Sequence, residues 1–176
     1  MDVNKKTQRN RFTRMCIGEA IVELMKRDSL DKITVSQIAK KAGISRMTYY
    51  HYYDSKVNAI EAYLREIIIQ YLTENKKRPK EERFMEYSHI LFSIEFFDQY
   101  ATFFIIMERQ GLYSVLVNAM NHFMVELYSD HKDMIYRAYY YAGALLNTFI
   151  NWEKTGKLVS AQDVAKMISE SAPKMP

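Results

Sequence analysis

Thr34-Val35-Ser36-Gln37-Ile38-Ala39-Lys40-Lys41-Ala42-Gly43-Ile44-Ser45-Arg46-Met47-Thr48-Tyr49-Tyr50-His51-Tyr52-Tyr53 is the stretch that decides the fold. Thr34 is an N-cap residue type, and Gln37 follows three positions later, which makes a capping box. Val35, Ile38 and Ala39 then share one helical face. Gly43 ends that helix, because glycine takes the left-handed conformation at no steric cost. Ser45 is placed to cap a second helix from Arg46 onward. That second helix carries Arg46, Thr48, Tyr49, Tyr50, His51 and Tyr52, all able to hydrogen-bond a phosphate or a base edge. Two short helices joined by a glycine turn, the second one polar, spell a helix-turn-helix.

Upstream, Phe12, Cys16, Ile17, Ala20, Ile21, Leu24 and Met25 recur at helical spacing and predict a helix over residues 7–26 with one apolar stripe. Arg9, Arg11, Arg14 and Lys26 fall on its other side. Leu30 and Ile33, flanking a polar break, are expected to fold back into the core. Downstream, Asp54-Ser55 interrupts the pattern, and a long connecting helix is predicted over 56–75. The basic run Asn75-Lys76-Lys77-Arg78-Pro79-Lys80 is the clearest boundary in the chain. Further helices are predicted over 81–96, from Asp98 to Gly111, over 112–128 and over 133–154 with Gly156 as C-cap. A last one is capped by Ser160 with Asp163 in the box position. No strand pattern appears, and five glycines and three prolines in 176 residues argue against an all-β fold. The expected fold is all-α: a three-helix head over 1–55 and a helical domain over 56–176.

The net charge of +4 is unevenly spread, with +6 on residues 1–56 and −2 on the remainder. A basic N-terminal third points to a polyanion partner for that third. The single cysteine, Cys16, rules out a disulfide within the chain and lies on an apolar face, as a small core residue would. The N-terminus has no apolar segment of the secretory type, and no apolar run approaches the ~20 residues of a membrane span. A cytoplasmic location and no membrane partner are therefore expected. His89, His122 and His131 are scattered, so no metal set is expected. With no glycine-rich phosphate loop, no Cys/His cluster and no nucleophile–base pair, neither a cofactor nor an enzyme is expected. An apolar surplus on 133–154 exceeds what one chain's core should cover, and predicts contact with a second copy.

The head resembles the TetR family of transcriptional regulators. Ile33-Thr34-Val35, the run from Ile38 to Ser45, and Thr48-Tyr49-Tyr50-His51-Tyr52-Tyr53 with Lys56 carry the resemblance, which covers about residues 10–65. The segment Tyr141–Trp152 resembles a subgroup common in Firmicutes. Met47 stands where a small residue or glycine is usual, and Tyr49 where an aliphatic residue or Phe is usual. Val57 and Ala59 replace an acidic residue and a Leu. The first pair makes the base preference unusual; the second bears on packing.

The resemblance implies a sequence-specific DNA-binding regulator of palindromic duplex DNA, more often a repressor, released by a small-molecule effector. A member controlled by a protein partner is the alternative in the same fold; a helical carrier or enzyme with an incidental basic face is the rival from another class. The implied DNA-binding residues are Thr34, Ser45, Arg46, Thr48, Tyr49, Tyr50, Tyr52 and Lys56. Arg46 is the candidate for pairing with guanine, and Tyr49 and Tyr52 for phosphate or a thymine methyl. Tyr53 is expected to be structural. The implied effector pocket draws on Phe92, Phe96, Tyr100, Phe103, Phe104, Met107, Met120, Phe123 and Tyr140. The family dimerises through its last two helices, which implies a homodimer interface at Ala138, Ala142, Leu145, Leu146, Phe149, Ile150, Trp152, Val164, Ala165 and Ile168.

Overall fold

The computed structural model describes residues 3–78, 86–130 and 132–171, and the side chains of all of these except 3–7, 132 and 133. The described residues form nine helices and no strand. They are α1 (Val3–Met25), α2 (Val35–Ala42), α3 (Arg46–Tyr52), α4 (Lys56–Asn75), α5 (Tyr87–Asp98), α6 (Ala101–Arg109), α7 (Tyr113–Leu127), α8 (Lys132–Lys154) and α9 (Ala161–Ser171). Pro79, Lys80, the expected helix start at Glu81, His131, Pro173 and Pro176 lie outside the described residues. No single helix among the described residues is long and apolar enough to cross a membrane.

Two compact units emerge, one of Met1–Ile69 with Ile106–Met120, the other of Gln70–Ile105 with Asn121–Pro176. In the first, α1 packs on α2 and α2 on α3. Ile17, Ile21 and Met25 of α1 are buried, as are Leu30, Ile33, Ile38 and Ala39 and the α4 residues Ile60, Tyr63, Leu64 and Ile67. Phe12 departs from the expected stripe and is 71% exposed. The cause is geometric: at 3.6 residues per turn it lies two and a half turns from Ile21, on the opposite side of α1.

Gly18 lets α1 and α4 approach closely. A Cβ built there would lie 2.1 Å from Cδ2 and 2.6 Å from Cβ of Tyr63. Beside this contact Glu66 of α4 is buried with 3% exposure. Its carboxylate takes Arg14 Nη1 at 2.8 Å and Arg11 Nε at 3.3 Å. Burying a carboxylate costs several kcal/mol unless it is paired and hydrogen-bonded, and two guanidinium groups from α1 meet that requirement. Arg11 and Arg14, expected on the side of α1 away from its apolar stripe, thus reach α4 while remaining partly exposed.

In the second unit α5 packs against α9. Ile90, Ile94, Phe96, Phe103, Phe104, Phe123, Leu146, Phe149 and Ile150 are buried there, with Val164 and Ala165 of α9. Gly111 and Gly156 adopt φ of 71° and 77°, the left-handed stops that end α6 and α8. Ser160 caps α9 by accepting from Asp163 N at 3.1 Å. Asp98 does not cap a helix; it is the last residue of α5, and its carboxylate takes Lys157 Nζ at 2.5 Å.

Gly18→Ala tests the α1–α4 contact. Alanine gains about 1 kcal/mol of helix propensity over glycine, yet the clash with the ring root of Tyr63 cannot be relieved by a flexible tip. The expected outcome is a net loss, because overpacking costs about 1–3 kcal/mol or more, read as a lower melting temperature. A higher melting temperature would mean the helices do not approach so closely.

Candidate nucleic-acid interface

Local chemistry sets the helix-turn-helix before any long-range contact. Thr34 accepts from Gln37 N at 3.2 Å, and Gln37 Oε1 accepts from Thr34 N at 2.7 Å, closing the capping box of α2. Gly43, at φ 68°, turns its N–H back to the last carbonyls of α2. Ser45 then starts α3 by accepting from Thr48 N at 2.9 Å. The Ser45 and Thr48 hydroxyls also lie 2.9 Å apart. One O–H of that pair is spent internally, and the other is left to donate outward. Thr34 keeps no such donor, because its own O–H turns to Gln37 Oε1 at 2.8 Å.

Seven residues make two turns, so α3 divides cleanly into faces. Arg46, Met47, Tyr50 and His51 face solvent. Tyr50 is 51% exposed and Met47 80%. Tyr49 points the other way. It is fully buried, its hydroxyl donates to Ser55 O at 3.2 Å, and burial pushes its pKa up to about 12. A DNA contact by Tyr49 is therefore corrected: its ring anchors α3 edge-on to Tyr50 and Tyr53. Tyr53 is buried too, and burial likewise raises its hydroxyl pKa. Tyr52 is half-buried and donates to Asn10 Oδ1 at 2.9 Å, tying the end of α3 to α1.

Lys56 is engaged by the protein itself. Its ammonium donates to the carbonyls of Leu30, Asp31 (3.0 Å) and Ile33 (2.9 Å). A lysine has three N–H donors, and all three are used to hold the loop before α2. The assignment of Lys56 to phosphate is corrected on that ground. The same loop is also held by Gln110, which sequence reading missed. Gln110 Nε2 donates to Met25 O and Asp28 O, both at 2.9 Å, and Oε1 accepts from Leu30 N at 2.9 Å. Nothing local marks Gln110, since its partners lie some 80 positions away.

The residues expected to form an effector pocket fall in both units. Met107 and Met120 belong to the first, and Phe92, Phe96, Tyr100, Phe103, Phe104, Phe123 and Tyr140 to the second. Phe103, Phe104 and Met107 are buried, whereas Tyr140 is exposed and does not belong to an interior group. The more distinctive feature of the second unit is a buried polar set. Tyr71 Oη lies 2.8 Å from Ser93 Oγ and 3.0 Å from His89 Nε2, and Tyr141 Oη lies 3.1 Å from Ser93 Oγ. Ser93 spends its one proton on His89 O at 2.8 Å. Both tyrosines therefore donate to Ser93, and His89 Nε2 carries the hydrogen that reaches Tyr71. Phe92 and Phe97 stack on Tyr71. Burial raises the pKa of Tyr71 and Tyr141.

The expected dimer residues are largely claimed by the chain itself. Ala142, Leu145, Leu146, Phe149, Ile150, Val164 and Ala165 are buried within it; Ala138, Trp152 and Ile168 are half-buried. The apolar surplus read from α8 is thus corrected. α8 exposes instead Tyr136, Tyr140, Gly143, Ala144, Asn147 and Asn151, one stripe of aromatic, small and amide side chains.

Residues 17–63, from the middle of α1 into α4, match the family profile described as bacterial regulatory proteins, tetR family. No curated protein matches the chain.

Lys56→Met separates a loop clamp from a phosphate contact. Loss of the ammonium leaves three carbonyls without their donor and should cost about 1–3 kcal/mol, lowering the melting temperature. The salt dependence of DNA binding should not change. A slope reduced by about one per site, the mark of a lost phosphate contact, would return Lys56 to the DNA.

Proposed function

We propose, from the premise that the chain belongs to the TetR family of DNA-binding transcriptional regulators, that it is a homodimeric repressor of a palindromic operator, released by a small molecule. The observation that carries the reading is the division of α3: Tyr49 is buried, and Arg46, Met47, Tyr50 and His51 are presented outward. A helix anchored in this way enters a major groove as a rigid body. Arg46, in its first turn, pairs with guanine O6 and N7. Tyr50 and the outward hydroxyl of the Ser45–Thr48 pair donate to phosphate oxygens, which fix register without reading sequence. Residues 1–55 carry this task, and 56–176 carry regulation and dimerisation, in a cytoplasmic protein.

One head holds only a half-site, and two heads about 34 Å apart read a palindrome. The exposed stripe of α8 supports dimerisation: Gly143 and Ala144 admit a close approach, Tyr136 and Tyr140 add apolar area, and Asn147 and Asn151 supply hydrogen bonds. The Tyr71–His89–Ser93–Tyr141 set is the polar feature of the second unit that an effector would address, and a ligand there would exchange its own hydrogen bonds for those now closed within the set. α4, α6 and α7 each contribute residues to both units, so a ligand-dependent shift in the second has a covalent route to the first.

Duplexes selected from a random pool by the purified protein supply the test. Arg46→Ala should weaken binding to a selected duplex by about ten- to a hundredfold and relax the sequence requirement at one position per half-site. Equal binding by the variant would remove α3 from the groove. Ala144→Glu should shift the protein from dimer to monomer in sedimentation velocity while its helix content holds; an unchanged dimer would place the interface away from α8.

A further inference from the structure

We propose that Met47 reads the 5-methyl group of a thymine in each half-site, and so sets a base preference that Arg46 alone does not. The inference rests on α3 being the DNA-reading helix.

The outward face of α3 presents Arg46, Met47, Tyr50 and His51. Three of these end in polar groups. Met47 is the exception and is 80% exposed. The two tyrosines expected to meet a thymine methyl do not compete for that role. Tyr49 is fully buried. Tyr52 is half-buried, with its hydroxyl held by Asn10 and its ring edge-on to His51.

Met47 is the second residue of α3, and the N-terminal residues of a recognition helix are those that reach base edges. The thymine methyl is the apolar feature of the major-groove edge, whereas a cytosine presents a donor there and a guanine two acceptors. A methionine pressed on cytosine or guanine leaves those groups dry and unpaired, which is costly. Pressed on the C5-methyl of thymine it buries apolar area, and O4 beside the methyl stays open to a donor or water. Selectivity thus comes as much from what Met47 rejects as from what it touches. Its unbranched chain and polarizable sulfur follow a methyl over a range of positions. Next to it, Arg46 favours guanine, so a half-site with a thymine close to a guanine is expected.

Replacing thymine by deoxyuridine removes only the methyl and tests this directly. A duplex enriched from a random pool by the full-length protein is remade with deoxyuridine at one position at a time, and binding is followed by fluorescence anisotropy. Wild-type protein should lose about fourfold at one thymine of each half-site, the scale of one buried methyl. M47A should lose that penalty at that position and keep every other base preference, with an unchanged melting temperature because the side chain is exposed. M47L should retain a penalty. Equal wild-type binding to thymine and deoxyuridine duplexes at every position, or a penalty that persists in M47A, overturns the proposal while leaving DNA binding by α3 intact. Failure to enrich any duplex overturns both.

Discussion

A helix of seven residues does not hold together in water, because its nucleation cost exceeds what two turns of hydrogen bonds return. α3 therefore exists on borrowed stability, and its lender is Tyr49. The ring is fully buried, the hydroxyl reaches Ser55 O at the start of the next helix, and Ser45 closes the other end of α3. These contacts fix the rotation of α3 about its own axis. Since each residue turns the helix by about 100°, burying Tyr49 decides which side chains face outward. The outward surface of α3 is a consequence of its anchor.

Electrostatics is shaped by the same economy of placement. The first third of the chain carries +6, but its cations are not equivalent. Arg11 and Arg14 answer the buried Glu66, Lys56 holds backbone carbonyls, and Lys26 pairs with Glu23 at 2.6 Å. Arg46, Lys40 and Lys41 are exposed on α2 and α3. Bonding does not cancel all of these charges: the one carboxylate of Glu66 offsets one of its two arginines, and Lys56, held by neutral carbonyls, keeps its charge, so placement fixes where the positive field acts within a Debye length of about 10 Å.

What could be read from the sequence was what is encoded locally. The capping box of Thr34 and Gln37, the left-handed Gly43 and the Ser45 cap are all interactions over three to five residues, within the reach of residue spacing alone. Lys56, by its position near a helix start, reads as a phosphate ligand; only the fold shows three carbonyls closing on it. Tyr49 and Tyr50 are identical letters side by side, and the register that buries one and exposes the other comes from α3's neighbours. The same holds for Phe12, which falls in an apolar pattern but on the wrong side of α1, and for α8, where the number of apolar residues was legible and the partner covering them was not. The polar set around Ser93 was hidden for a related reason: its members come from α4, α5 and α8, and no spacing in the sequence joins them.

Gln110 gives the fold a schedule. The loop between α1 and α2 is completed by bonds from a residue that leaves the ribosome long after α3 and α4 have been made. At ~5–20 residues per second that delay is several seconds, far longer than the microseconds a helix needs to form. Through this interval Met25 O, Asp28 O and Leu30 N must be satisfied by water. The nascent head is thus looser than the finished one in the loop that leads into α2, and it tightens only once α6 has emerged. The head is in this way slow to reach its final form while its own chain is still being synthesised.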